Sequence, residues 1–319
     1  MREQPQLCET VSALRKALAG RGRIGFVPTM GNLHEGHLQL MRTARAQTDV
    51  VVASVFVNRL QFAPHEDFDS YPRTLARDCE LLASVGVDLV FCPSERELYP
   101  EPQTCLVDPG PLGTIHEGEF RPGFFRGVAT VVSKLFHIVG PDLAVFGKKD
   151  YQQLQVIRHM VRQLRMPIEI VAGETARAQD GLALSSRNGY LSAQERLSAP
   201  RLYQCLQAVA QRLADGQKDL SILEQAAQSE LHAHGFRPDY VRIRRQQDLQ
   251  VPTDTCQELV ILAAAHLGRT RLIDNLEVTR YFSAGGRYGR GPTRWTVWVG
   301  KAILAPCCSM MRITCSSTS

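Results

Sequence analysis

Two histidines three residues apart, His34 and His37, stand in the segment PTMGNLHEGHLQL, directly after an apolar run that ends at Val27. Residues with this spacing share one face of a helix, so both imidazoles would point the same way. A zinc protease helix instead places its histidines four apart in the pattern HExxH, and no third ligand pattern lies nearby. The spacing therefore argues against zinc, and we predict no metal site here.

A strand that leads through a turn into a helix offers a different chemistry. The segment contains the turn residues Pro28 and Gly31, and the helix is expected to begin near Leu33 to Glu35. Free N–H groups and the positive dipole end of a helix start attract phosphate. Gly36 lacks the side chain that would keep a nucleotide away from this turn. The alternative is that both histidines merely cap the helix, and the motif by itself leaves both interpretations open.

Short apolar runs alternate with helix-period segments through the first half of the chain. The strand candidates are RIGFVP, VVVASVFVN, VDLVFCP, DLAVFG and IEIVAG. Because parallel strands need long crossovers, this alternation predicts an α/β fold with a buried parallel sheet. Helical segments and two further strand candidates, DYVRIRR and ELVILAAAHL, predict a smaller α+β domain after it. Ligands are expected in a cleft at the carboxyl ends of the parallel strands.

The length of 319 residues favours two domains. We predict a nucleotide-binding domain at residues 1–175, a smaller lid-like domain at 176–278 and a disordered tail at 279–319. The tail holds both tryptophans and six basic residues but no acidic residue. A genuine extension and an out-of-frame terminus would look alike here.

Charge and cysteine usage exclude several classes of protein. The net charge is +5, so residues 1–278 carry 5 − 6 = −1 once the tail is set aside, which argues against a nucleic-acid binder. The nine cysteines are scattered and never spaced as CxxC, which favours free thiols in a reducing cytosol. No apolar run approaches the roughly 20 residues that cross a bilayer. We expect a cytoplasmic protein without nucleic-acid or membrane partners.

The segment PTMGNLHEGH resembles the signature of the pantothenate synthetases, or pantoate-beta-alanine ligases, a family of the HIGH-type nucleotidyltransferase superfamily. Further segments match that family in order, and the resemblance covers roughly residues 10–278. These segments are FVNRLQF with EDFDSYPRT, FRGVATVVSKLF, FGKKDYQQL, DGLALSSRNGYLS and LGRTRLIDNL. The resemblance implies a Rossmann-like nucleotidyltransferase domain, ATP as a substrate, Mg²⁺ and a homodimer.

The reaction implied by the resemblance forms an amide in two steps. ATP activates the carboxylate of (R)-pantoate as pantoyl adenylate with release of pyrophosphate, and the amine of beta-alanine then attacks to give pantothenate and AMP. Negative charge accumulates on the phosphates in the first step, so the site needs fixed donors more than a nucleophilic side chain.

The resemblance also assigns site residues, with His37 as proton donor and His34 and Lys149 beside it in catalysis. The ATP site comprises Met30, Gly31, Asn32, Leu33, His34, Glu35, Gly36, His37, Gly147, Lys148, Lys149, Asp150, Ala176, Leu184, Ser185, Ser186 and Arg187. Pantoate is assigned to Gln61, Gln153 and Asn58, and beta-alanine to Gln61. The magnesium is expected on the ATP phosphates, with no protein ligand assigned.

Several positions depart from the common spelling of the family. It has Glu at Lys148, His at Phe124, Val at Ala176 and Met at Leu184. Two rival functions therefore stay open: a related adenylyl- or cytidylyltransferase with another acceptor, and a nucleotide-binding paralogue without catalysis. The match at Gln61 and Gln153 weighs against the first, whereas Lys148 and Phe124 favour the second.

Overall fold

The structure, a computed structural model, describes residues 4–63, 66, 68–282, 295–299 and 302–304. The chain forms two compact units. The first contains Met1–Pro200 and Ala264–Asp274, and the second contains Arg201–Ala263 and Asn275–Ser319. Residues 176–200, which the sequence prediction groups with the second domain, belong to the first unit.

A six-stranded sheet with only parallel pairs forms the centre of the first unit, as the alternation of strands and helices predicts. The strands are β1 (Gln6–Cys8), β2 (Ile24–Thr29), β3 (Val50–Val55), β4 (Leu89–Phe91), β5 (Leu143–Gly147) and β6 (Glu169–Gly173). Their order across the sheet is β1-β4-β3-β2-β5-β6. The short edge strand β1 is missing from the sequence prediction.

Helices cover both faces of this sheet. The helices of the first unit are α1 (Val11–Leu18), α2 (Glu35–Arg45), α3 (Leu75–Ser84), α4 (Glu95–Leu98), α5 (Glu117–Phe120), α6 (Phe124–Val139), α7 (Tyr151–Gln163) and α8 (Ala193–Ser198). Neighbouring strand residues point to opposite faces: Phe26 packs in a buried cluster with residues of α1, α6 and α7, and Val27 in another with residues of α2 and α3. Burial on both faces explains why these strands read as continuous apolar runs.

The strand order reverses beside β2, which pairs with β3 on one side and with β5 on the other. In open parallel sheets, ligands bind at such a switch point, outside the carboxyl ends of the strands. The histidine motif directly follows β2, and the segment GKKD begins at the last residue of β5. The fold therefore brings two distant sequence motifs to the same edge of the sheet.

Helices and an antiparallel sheet follow Pro200 in the chain, and residues 264–274 of this sheet belong to the first unit. The helices are α9 (Arg201–Ala214) and α10 (Leu220–Ala233), and the strands are β7 (Phe236–Arg245), β8 (Glu258–Leu267), β9 (Thr270–Phe282), β10 (Trp295–Val299) and β11 (Ala302–Leu304). Their order is β11-β10-β9-β8-β7. Strands β10 and β11 lie in the segment that was expected to be disordered, and the remainder of that expectation after Phe282 falls on residues outside those described.

The segment Ala264–Asp274, which contains the turn between β8 and β9, is held in the first unit by two ion pairs. The guanidinium of Arg271 donates to both carboxylate oxygens of Glu117, at 2.5 and 2.9 Å. The carboxylate of Asp274 accepts from both terminal nitrogens of Arg177, at 2.7 and 2.8 Å. In the described ranges, no helix combines the length and apolarity needed to cross a membrane.

Candidate active site

Most of the predicted site residues line one pocket of the first unit. They are Met30, His34, Gly36, His37, Asn58, Gln61, Gly147, Lys149, Asp150, Gln153, Ala176, Leu184, Ser185, Ser186 and Arg187. The pocket lies at the carboxyl ends of β2 and β5, where the reversal of the strand order predicts a ligand site. The predicted residues Gly31, Asn32, Leu33, Glu35 and Lys148 are not among its lining residues.

The two histidines form the start of helix α2. His34 is the residue that caps the helix, and its Nδ1 accepts a hydrogen bond from the backbone N–H of Gly36 at 3.2 Å. His37 reaches back, so that its Nδ1 accepts from the backbone N–H of His34 at 3.3 Å. The rings lie against each other with centroids 4.1 Å apart. The capping role that the sequence left open is therefore real, and it coexists with a place in the pocket.

This capping arrangement determines where each imidazole carries its proton. A backbone N–H can only donate, so each Nδ1 must be an unprotonated acceptor, and the neutral ring then carries its hydrogen on Nε2. Burial, followed by the charge of Lys149, lowers the pKa of His34 to about 4. Burial, the neighbouring His34 and Lys149 lower the pKa of His37 to about 3. At neutral pH the free site thus holds two uncharged imidazoles with Nε2–H donors.

Gly36 serves this pair in a way that the sequence did not indicate. A Cβ atom at this position would lie 2.9 Å from Cε1 and 3.0 Å from Nδ1 of His34. Because real Cβ atoms do not approach so closely, any other residue would push the His34 ring out of its capping position. The glycine therefore makes room for a histidine of the same motif.

The turn between β2 and α2 is held by a buried carboxylate from helix α3. Asp78 accepts hydrogen bonds from the backbone N–H of Asn32 at 3.0 Å and of Leu33 at 2.9 Å. Its Oδ2 also accepts from the hydroxyl of Thr74 at 3.1 Å. Asn32 has a left-handed backbone, with φ of 51°, which the short asparagine tolerates better than most residues. Asp78 is a supporting residue that the sequence prediction missed.

The five predicted residues outside the pocket lining have other surroundings. Gly31, Asn32 and Leu33 form the turn itself, and Leu33 is buried. Glu35 forms an exposed ion pair with Arg42 at 2.5 Å.

The two neighbouring lysines after β5 diverge. Lys149 lines the pocket together with Asp150, whereas the Nζ of Lys148 lies 2.8 Å from Oε1 of Glu174. Where the family commonly has glutamate, Lys148 replaces a negative charge by a positive one. In the structure, Glu174 pairs with that charge, so the extra lysine changes the local balance less than its position in the sequence indicates.

The segment SSRN meets the histidine motif directly. The Oγ of Ser186 donates to the backbone carbonyl of Asn32 at 3.2 Å. Ser185 caps the short 3-10 turn that follows, with its Oγ accepting from the backbone N–H of Arg187 at 3.3 Å. The hydroxyl of Ser185 and the guanidinium of Arg187 thus stand beside the start of α2 as groups that suit phosphate oxygens, and the hydroxyl of Ser186 would have to turn from Asn32 to join them.

On another wall of the pocket, Asn58 holds Gln61. The amide nitrogen of Asn58 donates to Oε1 of Gln61 at 3.1 Å and to the carbonyl of Gly127 at 3.2 Å. Its Oδ1 accepts from the hydroxyl of Tyr99 at 2.8 Å. Because all the polar atoms of this buried amide are engaged, Asn58 orients Gln61 more than it offers contacts of its own. Gln153 lines the same pocket from helix α7.

Arg121 and Phe124 line the pocket as well, although neither was predicted as a site residue. The guanidinium of Arg121 lies 3.6 Å from the ring centroid of Phe124 and pairs with Glu66, at 2.7 Å from Nε to Oε1. At position 124 the common spelling of the family has histidine, so this chain has an apolar phenylalanine ring, which forms a cation–π contact with Arg121, in place of a polar ring. In the sequence, only this difference from the family's histidine marked Phe124 as a residue of interest.

Comparison with known proteins identifies the family. A family model described as pantoate-beta-alanine ligase matches residues 4–277. The chain belongs to the pantoate-beta-alanine ligase family. It is 57% identical, over 269 residues, to a pantothenate synthetase of Nitrosospira multiformis, a match that covers 84% of this chain and 96% of that protein.

Solved structures of pantoate-beta-alanine ligases share the fold. The crystal structure of pantothenate synthetase from Thermus thermophilus matches with a TM-score of 0.81 and 48% identity, over 85% of this chain and 98% of that chain. The enzyme from Francisella tularensis, solved in complex with beta-gamma ATP and beta-alanine, matches with a TM-score of 0.72 and 34% identity, over 85% and 97% of the two chains. The family and the α/β fold that the sequence predicts are thereby confirmed.

Proposed function

We propose that this pocket condenses (R)-pantoate with beta-alanine in two steps, through pantoyl adenylate, with release of pyrophosphate and AMP. The observation that carries the proposal is the match of residues 4–277 to the pantoate-beta-alanine ligase family, joined to a pocket lined by the motifs of that family. As a member of this family the chain is an amide-forming ligase of pantothenate biosynthesis. The bound molecules of the Francisella enzyme, beta-gamma ATP and beta-alanine, support the same substrates here.

In the first step, a carboxylate oxygen of pantoate attacks the α-phosphorus of ATP and pyrophosphate leaves. The added charge falls on the α-phosphate and on the departing group, so catalysis requires donors that are already oriented. We assign this role to the Nε2–H groups of His34 and His37, to Lys149, and to the Ser185–Arg187 segment. The capping hydrogen bonds support the assignment because they leave each imidazole with Nε2 as its donor.

The neutral state of His37 bears on its family role as proton donor. With a pKa of about 3, the free enzyme does not populate its imidazolium near neutral pH. We therefore propose that His37 acts first as a hydrogen-bond donor. The role as proton donor stays a prediction, and it would require the arriving phosphates to raise the pKa of His37.

Pantoate is assigned to Gln61 and Gln153, whose amides suit a hydroxy acid. The orientation of Gln61 by Asn58 supports this assignment, because an amide held by a buried neighbour presents its remaining donor in one direction. That donor, Nε2 of Gln61, lies 3.3 Å from the sulfur of Met30 in the structure. Thioether sulfur is a weak acceptor, so a substrate oxygen would displace it readily. We place beta-alanine beside Gln61 as well.

The remaining predicted contacts concern the nucleoside part of ATP. Asp150 can accept from ribose hydroxyls at the end of β5, and Gly147 leaves space for the nucleotide. Ala176 and Leu184 face each other across a hairpin, with the backbone N–H of Leu184 donating to the carbonyl of Ala176 at 2.9 Å. Both line the pocket, with Ala176 close to Gly36, and both offer apolar surface to a base.

Magnesium fits this pocket as a companion of the ATP phosphates. Mg²⁺ prefers phosphate, carboxylate and water oxygens and usually keeps few protein ligands. Searched over the part of the chain that the structure describes, no group of three or more His, Cys, Asp and Glu side chains could hold a metal ion. Asp150 and Glu174 are the carboxylates in the lining, and we expect the ion on the phosphates of ATP, with no protein ligand assigned. Bound there, the ion would neutralise part of the phosphate charge.

We also propose that the protein works in the cytoplasm as a homodimer. The lid-like role of residues 176–278 stays a prediction, and the structure assigns residues 176–200 and 264–274 of that range to the first unit. The free cysteines among the described residues are consistent with a reducing compartment. Size-exclusion chromatography with light scattering would test the oligomeric state, and a mass near 35.5 kDa would refute the dimer.

The decisive test separates this reaction from the two rivals. Purified protein is incubated with ATP, Mg²⁺, pantoate and beta-alanine, and AMP and pantothenate are measured; a second assay follows pantoate-dependent exchange of labelled pyrophosphate into ATP. Both activities are expected. Exchange that depends on another acid would favour a related nucleotidyltransferase, and nucleotide binding without any exchange would favour a paralogue that lost catalysis.

A further inference from the structure

The buried ion pair between Arg177 and Asp274 connects the two chain segments of the first unit. Side chains of the pair are 18% and 2% exposed, respectively. Both terminal nitrogens of the guanidinium meet both oxygens of the carboxylate, at 2.7 and 2.8 Å. This planar, two-bond geometry fixes direction as well as distance, and a lysine could not reproduce it.

Arg177 uses the same side chain to close a hairpin. Its Nη1 also donates to the carbonyl of Gly181 at 3.0 Å. The backbone of Arg177 forms an antiparallel bridge with Ala183, and the backbone N–H of Ala178 donates to the carbonyl of Leu182 at 2.8 Å. The Asp274 carboxylate therefore holds an arginine that in turn holds both arms of a short hairpin.

This hairpin leads directly into the donor segment of the pocket. Its second arm ends at Leu184, and Ser185 follows. The side-chain amide of Asn188 donates back to the carbonyl of Ala183 at 3.0 Å, which ties the far end of the segment to the hairpin. The position of Ser185, Ser186 and Arg187 is thus set at both ends by the structure that Arg177 closes.

We propose that Asp274 is a positioning residue for the Ser185–Arg187 segment and acts through Arg177. The proposal rests on the function proposed above, in which that segment contacts the phosphates of ATP. Neither side chain of the pair lines the pocket. Their effect on the reaction is to hold two hydroxyl groups and one guanidinium where the leaving pyrophosphate will be, before ATP arrives.

The energetics of a buried pair suit this task. An ion pair taken out of water contributes little to net stability, but removal of one partner leaves a buried charge and forces the other to move. Asp274 is nearly inaccessible, so Arg177 would have to rotate away from it or recruit water if the carboxylate were neutralised. Either change loosens the hairpin and with it the donor segment.

The two half-reactions give the proposal a specific signature. Pyrophosphate is present in the first step and absent from the second. A variant with a displaced donor segment should therefore lose pantoate-dependent exchange of pyrophosphate, while the attack of beta-alanine on supplied pantoyl adenylate continues. A general loss of folding would reduce both.

The experiment compares D274N and R177K with E169Q as matched control. Glu169 pairs with Arg23 at 2.8 Å, but this pair is about half exposed, with side chains 56% and 48% accessible. We expect D274N and R177K to lower the exchange rate about 10- to 100-fold, to leave transfer from pantoyl adenylate close to wild type, and to keep the native circular dichroism spectrum. E169Q should match wild type in all assays.

Further measurements make the result decisive. The double variant R177K/D274N should be no slower than the slower single variant, because both changes break the same contact. Three outcomes would overturn the positioning role. These are an unchanged exchange rate in D274N, an equal loss of rate in both half-reactions, and a failure of both single variants to fold. If wild-type protein shows no exchange with pantoate, the proposed function fails instead, so the two failures are distinguishable.

Discussion

His37 has two nitrogens with two separate tasks, and two substitutions can separate them. Nδ1 accepts from the backbone of His34, whereas Nε2 is the donor that we assign to phosphate. The amide of asparagine reaches the position of Nδ1 but falls short of Nε2, so H37N should keep the cap and lose the donor. The longer H37Q should place its amide near Nε2, keeping a donor to phosphate and losing the cap.

The expected magnitudes differ clearly between the two variants. Loss of one fixed donor to the transition state costs about 10²- to 10³-fold in rate, or roughly 2.7 to 4 kcal/mol. Loss of a helix cap costs about 0.5 to 2 kcal/mol of stability. The separation of His34 N and His37 Nδ1, 3.3 Å, is long for a hydrogen bond, which favours the lower end of that range. We therefore expect about 0.5 to 1 kcal/mol for H37Q.

Two assays check this reasoning, namely pantoate-dependent pyrophosphate exchange and urea unfolding followed by circular dichroism. H37N should lose most of the exchange at nearly native stability, and H37Q should retain most of the exchange at lower stability. If H37N exchanges at the wild-type rate, His37 has no part in the first step. If H37Q is natively stable yet as slow as H37N, the reaction needs a property of the imidazole ring itself, and the neutral-donor interpretation is refuted.

Two more predictions follow from the same pocket. The pKa values of His34 and His37, lowered to about 4 and about 3 from 6.5, mean that the unfolded chain binds protons first as the pH falls. The contribution of these histidines to the free energy of unfolding should be complete above about pH 6.5 and decline as the pH falls toward 4. The urea midpoint of H37N should fall less steeply over this pH range than that of the wild type, and equal slopes would contradict the assignment. K149Q should lower the exchange rate about 10²-fold because it removes a donor to phosphate. K148Q should change the exchange rate by about threefold or less, because it removes only the partner of Glu174. Similar losses in both lysine variants would refute the distinction.

Much of the site was predictable because parallel strands bring their ends together. His37 and Lys149 lie far apart in the sequence, yet each follows an apolar strand, and the fold places both strands side by side at the switch point. The strand patterns sufficed to predict that the histidines follow a strand at a helix start, and the spacing left helix capping and phosphate binding both open. The assignment of substrates needed the family resemblance.

The supporting residues were not predictable, since nothing local marks them. Asp78 lies in a helix with ordinary periodicity, where an acidic residue normally indicates a solvated face, but the fold buries it under the turn of the histidine motif. Asp274 lies in a strand of similarly ordinary appearance. The two lysines at 148 and 149 are indistinguishable in sequence, and the 3-10 turn after β5 directs one toward the pocket and the other toward Glu174. Such contacts depend on distant elements that a local pattern does not contain.

The division of the first unit into two chain segments has a consequence for its synthesis. All the residues that line the pocket are synthesised before Pro200, but Glu117 and Arg177 meet their partners only when Arg271 and Asp274 follow. At roughly 5–20 residues per second, this interval lasts several seconds. During that time the nascent chain holds the pocket-lining residues without these two ion pairs, so the synthesis of strand β9 completes the first unit.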